Sequence, residues 1–149
     1  MTLLKKIAFS LGILLTPLTL FAHDEGHGPK LTDVGIYGGI VSPVIASKDA
    51  DKGAHAALLY KAELVRGEDG TIRLYLYDTK MKPLPMESFE KKAKGTFYIS
   101  KGNSKEFSLQ QEGKGFIGKT SLPTKKPYDL DVVLKDKDRE LLTAFGNLD

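Results

Sequence analysis

Between Thr71 and Asp78 the side chains alternate: Ile72, Leu74 and Leu76 fall on one face of an extended chain, and Arg73, Tyr75 and Tyr77 on the other. A period of two is the signature of a strand with one buried face, and it rules out an amphipathic helix over the same residues. The run Leu58 to Val65 precedes it across Gly67-Glu68-Asp69-Gly70, whose terminal glycines suit a tight reversal, so the two runs read as a hairpin. The pattern continues downstream. Gly95 to Ser100, a Lys101-Gly102-Asn103-Ser104 turn, Glu106 to Gln110, a Gly113 to Gly115 turn and Phe116 to Leu122 follow in order. Tyr128, Leu130, Val132 and Leu134 then alternate with Asp129, Asp131 and Lys135, and after Asp136-Lys137-Asp138 a last segment covers Arg139 to Phe145.

No window sustains a helical repeat of apolar residues for more than about two turns. Strands recurring every 8 to 12 residues or so predict an all-β domain, specifically an antiparallel immunoglobulin-like β-sandwich of about seven to eight strands. The sandwich is expected over residues 35–146, with a short tail at 147–149. Pro83 and Pro85 keep residues 79–94 out of any central strand, leaving Ser88 to Lys94 as an exposed helical turn or a crossover between sheets.

The first residues have a different character. Lys5 and Lys6 precede an apolar stretch, Ile7 to Phe21, and Ala22 is followed abruptly by His23-Asp24-Glu25-Gly26-His27. This is the layout of a secretory signal peptide, residues 1–22, cut after Ala22. Fifteen residues are short for a membrane span, which needs about 20; the alternative is an uncleaved N-terminal anchor. Cleavage would leave 127 of the 149 residues, close to charge balance once Lys5 and Lys6 are gone. The expected compartment is the bacterial periplasm, with no membrane span in the mature chain. Residues 23–34 read as a flexible lead-in rich in His and acidic residues.

Composition narrows the chemistry. With no Cys, the chain has no disulfides, thiolate metal sites, iron–sulfur centres or cysteine nucleophile. Its 22 Lys+Arg against 19 Asp+Glu are too balanced for a dedicated nucleic-acid binder. A literal G-x-G-x-x-G at Gly113, Gly115 and Gly118 lacks the following helix that a dinucleotide site requires and reads as a hairpin turn. No nucleophile elbow is present, and Asp129 and Asp131 share a face that reads as the solvent side, so no catalytic activity is expected.

The three histidines remain. His23 and His27 flank Asp24 and Glu25, and His55 lies just before the first hairpin strand. Imidazole nitrogens with nearby carboxylates suit Cu(II) or Zn(II), and cleavage after Ala22 would let the amine and Nδ1 of His23 chelate one copper ion. The candidate metal ligands are therefore His23, His27, His55 and Asp24. A plain polar lead-in and a solvated loop histidine are the competing explanation.

The run Ala62-Glu63-Leu64-Val65, the Asp69-Gly70 turn, Arg73-Leu74-Tyr75-Leu76-Tyr77-Asp78 and Lys82-Pro83-Leu84-Pro85, preceded by Gly38-Gly39-Ile40-Val41, resembles a family of small exported bacterial β-sandwich domains. These modules occur alone or near periplasmic adaptor subunits of heavy-metal efflux systems. The resemblance covers about residues 36–100 and implies an accessory role beside an adaptor or efflux component. Where the family commonly has His before Gly-Gly and His shortly before the Glu, this chain has Tyr37 and Lys61 or a neighbour; Glu63 matches the acidic position. The resulting expectation is an exported periplasmic binding module for copper or zinc handling, the alternative being a structural or protein-interaction domain of the envelope.

Overall fold

The structure, a computed structural model, describes residues 27–149. Eight strands run β1 (Ile40–Ala46), β2 (Tyr60–Arg66), β3 (Thr71–Tyr77), β4 (Lys92–Ser100), β5 (Asn103–Glu112), β6 (Gly115–Lys119), β7 (Tyr128–Asp136) and β8 (Arg139–Leu148). Every pairing is antiparallel, in the order β1-β2-β3-β6-β5-β4-β7-β8. β1 also pairs with β8 through Val44↔Thr143, Ile45↔Leu142 and Ala46↔Leu141, which closes the sheet on itself.

The fold is thus a closed eight-stranded barrel, and the expected open immunoglobulin-like sandwich is incorrect; the all-β class holds. The physical reason lies in what alternation specifies. It fixes which face of each strand is buried, and a sandwich and a barrel bury the same faces. The choice is made by the pairing of the first strand with the last, which leaves no local mark.

Inward-facing side chains fill the barrel. Val44, Leu64, Leu74, Phe97, Phe116, Leu130 and Leu141 are almost completely inaccessible to solvent, each burial stabilising by about 1.5–3 kcal/mol. Phe97 stacks on Phe107 with ring centroids 4.8 Å apart and meets Tyr128 edge-on at 5.4 Å. Gly95 makes this possible, because a Cβ there would lie 2.3 Å from the Phe107 ring. The outer wall of β4 and β5 carries Lys92, Lys94, Glu106 and Gln110, all exposed. Charged-out and apolar-in is the reverse of a lipid-facing barrel.

Two crossovers cap the ends. The connection from β3 to β4 crosses one end, where Met86, in a short 3-10 turn (Met86–Ser88), and Phe89 are buried against the core and Phe89 meets Tyr60 edge-on at 5.9 Å. The connection from β6 to β7 crosses the other, where Leu122 packs against the core and Arg66 donates to Tyr128 Oη at 2.8 Å and to the Asp149 carbonyl at 2.9 Å. β8 runs on to Leu148, which is buried. Gly113 sits in the β5–β6 turn with φ of 57°, and Gly115 and Gly118 lie on β6, so the glycine triplet belongs to a hairpin. Between β1 and β2 a 3-10 segment, Ser47–His55, covers an outer patch formed by Ile45, Ala56 and Leu142.

Candidate functional site

With the interior occupied by side chains, binding chemistry falls to the outer wall. The residues that shape it are 27–39, which precede β1 and lie against the barrel.

On β2, Ala62 and Leu64 point inward, so Lys61 and Glu63 point out. Glu63 is nonetheless completely buried, because residues 33–39 cross over it. Its Oε1 accepts from the backbone N–H of Tyr37 and of Gly39, both at 2.8 Å, and its Oε2 accepts from Ile36 N–H at 2.9 Å and Tyr77 Oη–H at 2.7 Å. Four donors use up the acceptor capacity of a carboxylate. Gly35 and Gly39 permit the approach, since a Cβ would stand 2.3 Å from Glu63 Oε1 at the first and 2.3 Å from the Leu64 carbonyl at the second. Burial, and then the bond to Glu63, push the Tyr77 hydroxyl well above its ordinary range, so it stays a donor. Beside it Lys61 Nζ, itself nearly buried, pairs with Asp33 at 2.7 and 2.8 Å. The Tyr37-Gly38-Gly39 and Lys61-x-Glu63 stretches singled out in the sequence therefore converge, as a latch.

The latch presents an apolar stripe to solvent. Val34 is 85% exposed, Ile36 56%, Tyr37 51% and Ile40 45%. The Tyr37 ring is additionally held by stacking on Tyr75 at 4.2 Å.

A second site lies where the described chain begins. His27 Nδ1 is 3.0 Å from the Ala50 carbonyl oxygen, and a carbonyl only accepts, so Nδ1 is the donor of this bond. His27 lines a groove together with Tyr98, Asp129 and Asp131. Both aspartates point outward from β7, Asp129 opposite Tyr98 and Asp131 opposite Thr96. Burial raises the Asp131 carboxyl above its ordinary value, against the pull of His27 and with the push of Asp129. Asp129 Oδ1 accepts from the Asn147 N–H at 3.0 Å.

A third cluster occupies the opposite end. Tyr60 Oη donates to Asp136 Oδ2 at 2.8 Å, and Arg139 reaches both at 3.1 Å. Burial pushes the Asp136 carboxyl up, but bonds from Tyr60, Arg139 and Ser88 together outweigh it and hold the group below the usual carboxylate range.

Of the residues singled out as metal ligands, His27 lies in the groove, and His55 is exposed at the end of the 3-10 segment. His23 and Asp24 lie outside the described residues. Among the described residues no group of three His, Cys, Asp or Glu is arranged to hold a metal ion, and no helix is long and apolar enough to cross a membrane. The alternation in β7 places Asp131 on the solvent side. It does face outward, and what brings it to His27 is the docking of a distant segment, which no local pattern announces.

No family model matches the chain, and neither curated proteins nor solved structures give a significant match. The likeness to efflux-associated modules accordingly rests on the residues quoted for it.

Proposed function

We propose that the protein is an exported, non-catalytic binding module accessory to transition-metal handling, with Cu(II) or Zn(II) as its ligand and a periplasmic adaptor or efflux component as its partner. The observation that carries the reading is the fixed His27 ring: Nδ1 is spent on the Ala50 carbonyl, and the ring lines a groove together with Asp129 and Asp131. Metal-ligating histidines are commonly oriented in this way, by a second-sphere bond from the other nitrogen. The non-catalytic part is supported by the absence of a nucleophile elbow in the sequence and by the state of Glu63, whose four donors occupy its lone pairs. Export is argued from Lys5, Lys6 and the apolar run to Phe21.

The test is a Cu(II) and Zn(II) titration of protein recovered after export, its N-terminus established by mass spectrometry, beside a His23→Ala/His27→Ala form. Stoichiometric, competitor-resistant binding lost in the double variant is expected; weak binding equal in both would refute the metal reading.

A second reading, a protein-interaction domain of the envelope, is favoured by one observation. Four large apolar side chains, Val34, Ile36, Tyr37 and Ile40, are exposed on a segment that Glu63 holds rigidly. Exposed apolar residues in such concentration mark contact surfaces. A photo-crosslinker at position 36, used in living cells, tests it: one discrete adduct, lost when Tyr37 is changed to Ser, is the expected result.

A further inference from the structure

We infer that the outer wall around Arg73 is a docking face for a segment of another protein, one that is apolar and carries an acidic side chain; the inference rests on the protein-interaction reading above. The strand registers place Arg73 between Val65 on β2 and Ile117 on β6. Their sequence neighbours Leu64, Ile72, Leu74 and Phe116 fill the core, so these three side chains point away from it. Two residues further along β3, on the same face, Tyr75 carries the Tyr37 ring at 4.2 Å. Val34 and Ile36 extend the apolar surface from Tyr37 along the latch.

Charge selects the occupant. Arg73 is exposed and has no hydrogen bond, ion pair or ring contact among the described residues, and the same holds for Lys30 at the upstream end of the latch segment. The acids of this wall are already spent, Glu63 on its four donors and Asp33 on Lys61. Glu68 and Glu112 are exposed and unpaired but lie outside it, one in the β2–β3 turn and the other on β5, across β6 from Tyr75. The face therefore offers apolar surface and free positive charge with no free carboxylate. Two copies pressed together through it would set cations against cations, which disfavours self-pairing. A partner that brings the carboxylate is complementary: the planar guanidinium takes it in a bidentate pair, and Val65 and Ile117 on either side shield that pair from water.

The face is also set before a partner arrives. Glu63 holds the Tyr37 N–H and Tyr75 holds its ring, so the exposed aromatic has little freedom left to lose on binding. Tyr and Arg are the side chains that most often dominate the centre of a protein contact.

The experiment places a photo-crosslinking amino acid at position 36 or 117 of the full chain in living cells and maps the captured peptide by mass spectrometry. Wild type is compared with Arg73→Glu, Arg73→Lys and Lys92→Glu, the last making the same charge change on the opposite wall. The captured segment is expected to be apolar with an Asp or Glu. Its yield should fall by at least ~10-fold in Arg73→Glu, because like charges facing each other across an interface are strongly unfavourable. Arg73→Lys should lose less, and Lys92→Glu little. Changing the captured acid to Lys should restore the adduct with Arg73→Glu, a rescue that damage to the fold could not produce. Wild-type yield in Arg73→Glu, a captured segment without an acid, or a captured second copy would overturn the inference and leave the interaction reading standing. Capture of lipid, or no discrete adduct from wild type, would overturn both.

Discussion

Glu63 and Asp131 start from the same position. Each points outward from a barrel strand, and each lies near the segment that precedes β1. Glu63 is met by three backbone N–H groups and a tyrosine hydroxyl; Asp131 is met by burial, an imidazole and another carboxylate. The difference shows that being covered does not decide what an acid does. Where donors match the lone pairs, the acid becomes part of the scaffold; where burial and a neighbouring carboxylate dominate, its charged form is disfavoured.

The sharpest way to break the comparison is to remove the satisfied acid. Glu63→Ala is expected to cost about 3–5 kcal/mol, the range for breaking a buried charged network. Hydrogen exchange at the Ile36, Tyr37 and Gly39 amides should rise with it, and protection retained at those amides would contradict the latch. Glu63→Gln should be nearly as damaging, because its NH2 group would face N–H donors where an acceptor is needed.

Gly39→Ala attacks the same latch from the other side. A Cβ placed 2.3 Å from the Leu64 carbonyl forces the loop away, with an expected loss of about 1–3 kcal/mol by chemical denaturation. An unaffected midpoint would mean that the loop can sit elsewhere without cost.

Asp136 and Asp131 sharpen the contrast through pH. The folded-state value of Asp136 lies below 3.8, so its contribution is present above 3.8 and is lost as pH falls through the lower folded value. Asp136→Asn should therefore destabilise by about 1 kcal/mol near pH 6, with the gap to wild type narrowing below pH 3.8. For Asp131 the sign reverses. Its folded value is raised above 3.8, so stability is fullest below 3.8 and falls as pH rises through the folded value. Metal-free Asp131→Asn should melt slightly higher than wild type at pH 7 and identically near pH 3. A drop at pH 7 would show that donors satisfy Asp131 after all.

The strands were legible because alternation is local. Ile72, Leu74 and Leu76 on one face and Tyr128 to Leu134 in register need only neighbouring residues to be recognised, and the structure places them in β3 and β7. Closure was not legible, since it rests on Val44, Ile45 and Ala46 meeting Thr143, Leu142 and Leu141 across almost the whole chain. Part of the latch could be read: an acid among apolar residues at Glu63 and paired glycines at Gly38-Gly39 are both unusual enough to notice. Their hydrogen bonds could not, because backbone N–H direction depends on the path of residues 33–39. Asp131 was least legible of all. Its place in the alternation correctly says outward, and only the docked lead-in makes that outer position a groove.

Because the barrel is closed by its first strand meeting its last, the order of synthesis matters. β1 emerges early and has one side satisfied as soon as β2 forms, but its other side waits until Leu141 to Thr143 exist. A chain stopped before β8 would expose not one unpaired strand but two, β1 and β7, each with a row of free backbone donors and acceptors. Loss of β8 should thus turn a self-contained ring into a template for association with its own copies. The last strand, which also lines one side of the His27 groove, is what keeps the chain from recruiting itself.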